Sequence, residues 1–189
     1  MKEMLERTVE ALRRRGFDAQ YCATGAEAAA LVMKAVEGAA VVGMGGSETL
    51  KQIGVAGALA SAGRAVVRNA DCDLFLLSAN ALTADGRLVN VDGRGNRVAA
   101  SISGPKQVIF VVGRNKVVDG GLDAAVARIR REACPPNCRR LGKDTPCART
   151  GVCADCDSPD RICKVLVVME RRPSATPTAV LVVDEDLGY

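Results

Sequence analysis

Six of the eight cysteines in this chain lie between residues 134 and 163, where an even distribution would place about one. They are Cys134, Cys138, Cys147, Cys153, Cys156 and Cys163. Four converging thiolates bind zinc or an iron–sulfur cluster, and a C-x2-C pair such as Cys153 and Cys156 commonly supplies two of them. The irregular spacing favours an iron–sulfur cluster but leaves zinc open. Redox-active thiols or small buried side chains are the simpler alternatives.

A glycine-rich turn, Gly43-Met44-Gly45-Gly46-Ser47-Glu48-Thr49, stands between a predicted strand and a predicted helix. Free backbone N–H groups and a helix N-terminus favour anions, and the hydroxyls of Ser47 and Thr49 suit a phosphate, a carboxylate or a sugar. The turn lacks the lysine of a P-loop and the spacing of a dinucleotide fingerprint. Glu48 would repel an anion unless it is protonated or catalytic. The alternative is a plain turn in which Ser47 caps the helix.

A second flexible loop, Gly93-Arg94-Gly95-Asn96-Arg97, also precedes a predicted helix. Its two guanidinium groups could bind a carboxylate or phosphate with paired hydrogen bonds. Lys106 and Lys116 flank a central strand and could add charge to the same crevice. A solvated basic turn and exposed lysines are the alternatives.

The composition excludes several classes of protein. The chain of 189 residues has no histidine, which excludes Ser–His and Cys–His nucleophilic pairs and histidine-ligated metals. The absence of tryptophan and a net charge of only +4 argue against nucleic-acid binding. No apolar run approaches the ~20 residues of a membrane helix, and the N-terminus has no apolar signal region. We therefore expect a cytoplasmic protein without a membrane or nucleic-acid partner.

Apolar strands alternate with amphipathic helices along most of the chain. Residues 39–43, 73–78 and 107–112 are predicted to be buried strands, because they are continuously apolar or nearly so. Predicted helices cover residues 2–15, 24–37, 48–60, 98–103 and about 122–134, the last ended by Pro135-Pro136. An Ala84-Asp85-Gly86 hairpin turn leads into the strand 87–91.

This alternation predicts one α/β domain over residues 1–189, a mainly parallel sheet with helices on both faces. The cysteine segment, residues 134–163, lacks periodicity and is expected to be a long loop inserted before the last two strands, 164–169 and 178–183. Ligands of such sheets bind beyond the carboxyl ends of the strands. The glycine-rich turns follow strands, so we expect them to line one crevice.

The central motifs resemble the LUD (lactate utilisation) domain family, in its stand-alone, cysteine-rich branch. The resemblance is carried by residues 80–100, Gly104-Pro105-Lys106, Gly113-Arg114-Asn115-Lys116, and the turn from Gly45 to Leu50. The Thr145-Pro146-Cys147 and Cys153-Ala154-Asp155-Cys156 motifs, with Arg161-Ile162-Cys163, match as well.

The resemblance implies a fold like that of ribose-5-phosphate isomerases and CoA transferases, and an association with bacterial and archaeal lactate oxidation beside iron–sulfur partners. It also selects Cys147, Cys153, Cys156 and Cys163 as ligands of one metal centre, with Cys134 and Cys138 in reserve. Sugar-phosphate isomerases of this superfamily have an Asp where this chain has Asn80, which cannot act as a general base.

Three functions remain open from the sequence. The first is an accessory redox protein of 2-hydroxy-acid metabolism that carries a 4Fe–4S cluster, or zinc, and binds a small anion. The second is an isomerase or acyl/CoA transferase that uses Glu48, Asp85 or Asp92 as acid or base. The third is a regulator that senses a ligand or the state of its cluster. The predicted anion crevice comprises Gly45, Gly46, Ser47, Glu48, Thr49, Asn80, Gly93, Gly95, Asn96, Arg97 and Lys106.

Overall fold

A computed structural model describes all residues from Met1 to Tyr189. The helices are α1 (Lys2–Arg14), α2 (Gly25–Glu37), α3 (Glu48–Gln52), α4 (Val55–Ser61), α5 (Asn96–Ile102), α6 (Leu122–Arg128), α7 (Cys134–Arg140) and α8 (Pro146–Thr150). The strands are β1 (Asp18–Cys22), β2 (Val42–Met44), β3 (Val66–Val67), β4 (Leu74–Leu77), β5 (Ala81–Thr83), β6 (Leu88–Asp92), β7 (Gln107–Gly113), β8 (Val117–Val118), β9 (Val165–Met169) and β10 (Thr178–Val183). None of these helices has the length and apolar character that crossing a membrane requires.

The main sheet has six parallel strands in the order β1-β10-β7-β4-β2-β3. Its central strand β7 is apolar on both faces. Val108 and Phe110 pack with α1 and α5 on one face, whereas Ile109 and Val111 pack with α2, α3 and α4 on the other. The predicted α/β architecture, a mainly parallel sheet with helices on both faces, is therefore confirmed.

A second, smaller sheet of four strands in the order β8-β5-β6-β9 was not predicted. The predicted hairpin at Asp85 joins β5 to β6 antiparallel, and β9 adds to the other edge of β6. Leu82 and Leu88 face the core beside the main sheet, while Ala81 and Val89 pack on α6. The last two strands thus belong to different sheets, because β9 joins the small sheet and β10 the main one.

Two predicted boundaries are corrected by local hydrogen bonding and backbone geometry. The strand expected over residues 39–43 begins only at Val42, since the N–H groups of Ala40 and Val41 donate to the Asp73 carboxylate, at 2.9 and 2.8 Å. The helix expected over residues 48–60 is split into α3 and α4. Gly54 stands between them in the left-handed region, with φ of 80°, which favours glycine.

The cysteine segment is also more ordered than the predicted loop. Helical backbone continues from α6 through a wide turn, Ile129–Ala133, into α7, and α8 follows. Pro135 and Pro136 do not end this helix; they lie in the first turn of α7, where prolines cost least because their missing N–H groups would have little use. Cys134 and Cys138 are consequently one helical turn apart on the same face of α7.

Candidate functional site

The glycine-rich turns and the cysteine segment border a single cleft of about 550 Å³. It lies beyond the carboxyl ends of β2, β4 and β6, where ligands of parallel sheets bind. Of the predicted crevice residues, the structure places Gly45, Gly46, Asn80, Gly93, Asn96 and Arg97 along it. Cys134 and Cys163, from the cysteine segment, line the same cleft.

Basic side chains dominate the lining of this cleft. Seven basic residues line it, namely Arg68, Arg94, Arg97, Arg140, Lys143, Arg161 and Lys164, against two acidic ones, Asp92 and Asp160. Carboxylates pair with four of the seven. Arg68, Arg94 and Lys164 are exposed and form no ion pair, so they are free to attract an anion from solvent.

Arg97 does not fit its predicted role as an anion ligand. Its guanidinium is already held by protein acceptors: Nη1 donates to Ser78 O at 3.1 Å and Asn90 Oδ1 at 2.7 Å, Nη2 donates to Asn80 Oδ1 at 3.0 Å and Val91 O at 2.7 Å, and Nε lies 3.6 Å from Asp92 Oδ2. Burial lowers the pKa of Arg97, while Asp92 opposes that shift. Arg97 therefore links the residues that follow β4 to β6. It adds positive charge to the cleft but has no free pair of N–H donors for a bound anion.

The carboxylate of Asp92 is likewise used by the backbone. It accepts from the N–H groups of Arg94, Gly95 and Val98, at 3.0, 3.1 and 3.3 Å, and so shapes the loop that starts α5. Gly95 is the residue before this helix, with φ of 85°, and it does not line the cleft.

Asp85 lies outside the cleft. It sits in the hairpin turn, where it pairs with Arg15 and Arg87 at 2.9 and 2.7 Å and accepts from the Thr83 hydroxyl. A role for Asp85 as acid or base in the crevice is thus wrong.

A cavity of about 60 Å³ adjoins the cleft, and Lys116 lines it. The ammonium donates to Thr49 Oγ1 at 2.8 Å and to Ser78 Oγ at 3.0 Å, and the residue is only 3% exposed. No carboxylate pairs with it. Burial, together with the positive charges of Arg128 and Arg97, lowers the pKa of Lys116 from its usual 10.5 to about 7.

The other predicted residues of the first glycine-rich turn fall into two places. Ser47 and Glu48 line the small cavity, with Glu48 lying 3.6 Å from Arg140 Nε and 3.7 Å from Lys51 Nζ. These cations offset its charge beside the glycine turn. Thr49 is fully buried beneath the turn and holds Lys116.

Lys106 is the clearest error in the predicted crevice. It precedes β7, at the amino end of the main sheet, and its ammonium lies 2.6 Å from the Asp73 carboxylate there. The cleft lies beyond the carboxyl ends of the same sheet. Lys106 therefore cannot contribute to it.

The thiols of the cysteine segment lie close enough to influence one another. Burial raises the pKa of Cys134 to about 12, and Cys163, Cys153, Cys138 and Cys147 add to the shift. Burial also raises the pKa of Cys138 to about 11, opposed by Thr145 and reinforced by Cys147. The sulfur of Cys147 is itself 3.4 Å from Thr145 Oγ1.

Cys156 is not among the groups that most strongly influence the pKa of Cys134 or of Cys138. As the side chains stand, no three cysteine, aspartate or glutamate groups converge as ligands of a bound metal ion would. The six thiols of the segment nevertheless suit a thiolate-held centre.

Several contributors to the site were not selected from the sequence. Ser78 accepts a hydrogen bond from Lys116, and Asn90 accepts one from Arg97. Arg128 donates to the Asn80 carbonyl, and Tyr189 lines the small cavity. Asn90 carried a readable signal, since it is the one polar residue inside the apolar stretch of β6. Tyr189 carried none, because it reaches the site through long-range contacts, among them a hydrogen bond from Arg140 Nε at 2.6 Å.

Comparison with known proteins places the chain in a family. The family model described as LUD domain matches residues 5–69 and 65–183. Among solved structures, the chain is similar to a DUF162 family protein from Deinococcus radiodurans, with a TM-score of 0.60 and 17% identity over 96% of this chain and 97% of that one. No curated protein matches the sequence. The structural likeness supports the fold, and the sequence match, which spans nearly the whole chain, shows that this protein belongs to the LUD domain family.

Proposed function

We propose that this LUD-family protein is an accessory redox protein of 2-hydroxy-acid metabolism, which binds a small anionic metabolite beside a cysteine-held metal centre. The LUD family is associated with lactate utilisation. The observation that carries the proposal is the shared cleft, because one cavity is bordered by glycine turns, unpaired cations and the thiols of Cys134 and Cys163.

The ligand of the cleft is expected to be an anion of metabolite size. A volume of about 550 Å³ is in the range of small-molecule sites. Arg68, Arg94 and Lys164 line the cleft and form no salt bridge with a carboxylate of the protein. These side chains suit a carboxylate or phosphate group.

The metal centre is expected in the cysteine segment, more readily as a 4Fe–4S cluster than as zinc. When bound, such a cluster would supply one-electron transfer. Cys147 and Cys163 each act on the pKa of both Cys134 and Cys138, which favours these four thiols as its ligands. The set implied by the family motifs, Cys147, Cys153, Cys156 and Cys163, remains the alternative, and the two sets share Cys147 and Cys163.

Single serine substitutions distinguish the two ligand sets. Iron and acid-labile sulfide are measured in anaerobically purified Cys138→Ser and Cys156→Ser proteins, with Cys72→Ser, outside the segment, as the control. The first ligand set predicts that Cys138→Ser loses iron and that Cys156→Ser keeps it. The reverse result would select the motif set. Unsubstituted protein that binds neither iron nor zinc would refute the metal centre.

Anion binding is tested by thermal shift with phosphate and lactate. Arg94→Ala should abolish most of the stabilisation, whereas Lys106→Ala, at the opposite edge of the sheet, should leave it unchanged. Equal stabilisation of all three proteins, or none in the unsubstituted one, would contradict the proposed cleft.

A further inference from the structure

We propose that Lys116 is a carbonyl-binding residue, whose amine condenses reversibly with a small 2-oxo acid to form an imine. The proposal rests on the proposed function in one respect, because the oxo acid would enter through the cleft. It goes beyond that function by assigning a covalent chemistry to the adjoining small cavity.

The surroundings of Lys116 are those of a nucleophile rather than of a structural ion pair. Its Nζ is buried and has no carboxylate partner, although salt bridges are the usual way to keep a lysine inside a protein. Two hydroxyls, those of Thr49 and Ser78, fix the position of the amine beside the cavity. A pKa of about 7 leaves a large fraction of this amine uncharged at neutral pH, which is the form that attacks a carbonyl carbon.

Groups able to move protons line the same cavity. The carboxylate of Glu48 and the phenol of Tyr189 both border it, next to Arg140. In the condensation, the Nζ lone pair forms the C–N bond while the carbonyl π electrons move to oxygen. Proton transfer from nitrogen to that oxygen then allows water to leave and the C=N bond to form. Glu48 and Tyr189 are placed to relay these protons.

The size and charge of the cavity select the carbonyl compound. About 60 Å³ is roughly the share of two water molecules, so that only a carbonyl end with few atoms can enter. The charged and titratable groups facing Lys116 are Glu48, Arg97, Arg128, Arg140 and Tyr189. The arginines outnumber the single carboxylate, which favours a carbonyl bonded directly to a carboxylate.

Reductive trapping tests this inference on the unsubstituted full-length protein. The protein is treated with glyoxylate and cyanoborohydride at pH 7, digested and mapped by mass spectrometry. Lys106 is the comparator within the same digest, because it is exposed and its pairing with Asp73 raises its pKa. We expect Lys116 to be modified at least ~10-fold faster than Lys106, since it has the larger uncharged fraction. The excess should shrink as the pH approaches 10.

Modification of Lys106 at the same rate as Lys116, or no adduct at Lys116, would overturn the proposal. Because Lys116→Met could fold poorly, the map of the unsubstituted protein decides, and Glu48→Gln adds a second measurement by slowing the trapping. The two proposals fail separately. If phosphate stabilises the protein through Arg94 but Lys116 gives no adduct, only the lysine chemistry is wrong. If Lys116 is trapped but no anion binds the cleft, only the proposed function is wrong.

Discussion

Lys116 is buried without a counter-charge, and this makes its protonation costly. The hydroxyls of Thr49 and Ser78 accept its hydrogen bonds but carry no charge, while Arg128 and Arg97 repel it. Groups with strongly shifted pKa values cluster at functional sites, so Lys116 is a better marker of function than the exposed lysines.

The first prediction concerns the pH dependence of folding stability. The pKa of Lys116 is about 7 in the folded protein and 10.5 in the unfolded chain, so that between these values the unfolded chain binds more protons. The destabilisation is full below pH 7 and disappears above pH 10.5. The free energy of unfolding should therefore rise with pH over this window, by up to about 1.4 kcal/mol per pH unit, relative to Lys116→Met. Urea titrations of both proteins at pH 7 and 9 measure this difference. A constant difference would contradict the buried, uncompensated lysine.

The second prediction separates the two arginines of the glycine-rich loop. Removing the side chain of Arg97 leaves the Asn80 and Asn90 oxygens without their charged donor, so Arg97→Ala should lower the free energy of unfolding by about 2–4 kcal/mol. Arg94→Ala removes an exposed, unpaired side chain and should change it by less than about 0.5 kcal/mol. Urea unfolding measures both. If Arg97→Ala were as stable as Arg94→Ala and lost only anion affinity, Arg97 would be an anion ligand and not a structural link between β4 and β6.

At the scale of elements, the turn between β2 and α3 depends on one of its two adjacent glycines. A Cβ on Gly45 would lie 2.9 Å from Arg97 Cδ, and that side chain cannot retreat because its guanidinium is fixed at both Nη atoms. A Cβ on Gly46 would meet nothing within 4 Å.

The third prediction follows from this contrast. Gly45→Ala should lower the midpoint of urea unfolding, at a cost of about 1–3 kcal/mol, through overpacking against Arg97. Gly46→Ala, the matched control, should be neutral or slightly stabilising because it restricts the unfolded chain. Equal effects of the two substitutions would show that the turn does not need the close approach of Arg97.

The elements also show which local signals could be interpreted correctly. The start of the helix predicted over residues 24–37 was placed well, since Thr24 Oγ1 accepts from the Glu27 N–H at 3.2 Å and α2 begins at Gly25. Pro135-Pro136 misled because proline ends one helix and starts another equally well, and sequence does not say which. Because the helix was predicted to end there, Cys134 and Cys138 were not expected on the helix face that brings them near the other thiols.

At the scale of the whole molecule, the sequence predicted the main sheet better than the partners of its edges. The apolar run of β7 specifies a strand buried on both faces, and strand ends specify where Gly45, Asn80 and Asn96 meet. Nothing local in β9 says that it leaves the main sheet to pair with β6, and nothing in Tyr189 says that it returns to the cleft. Pairings between distant segments depend on the complete fold, so the periodicity and turn motifs of the sequence do not predict them.

The central claim is that the anion and the metal centre share one cleft, since Cys134 and Cys163 line it with Arg94. The most direct measurement is the electron paramagnetic resonance spectrum of anaerobically purified, dithionite-reduced protein, titrated with inorganic phosphate. We expect an iron–sulfur signal whose shape changes saturably with phosphate, and a change that is lost in Arg94→Ala. A protein without any iron–sulfur signal, or a signal that phosphate leaves unaltered while it binds the protein, would contradict the account.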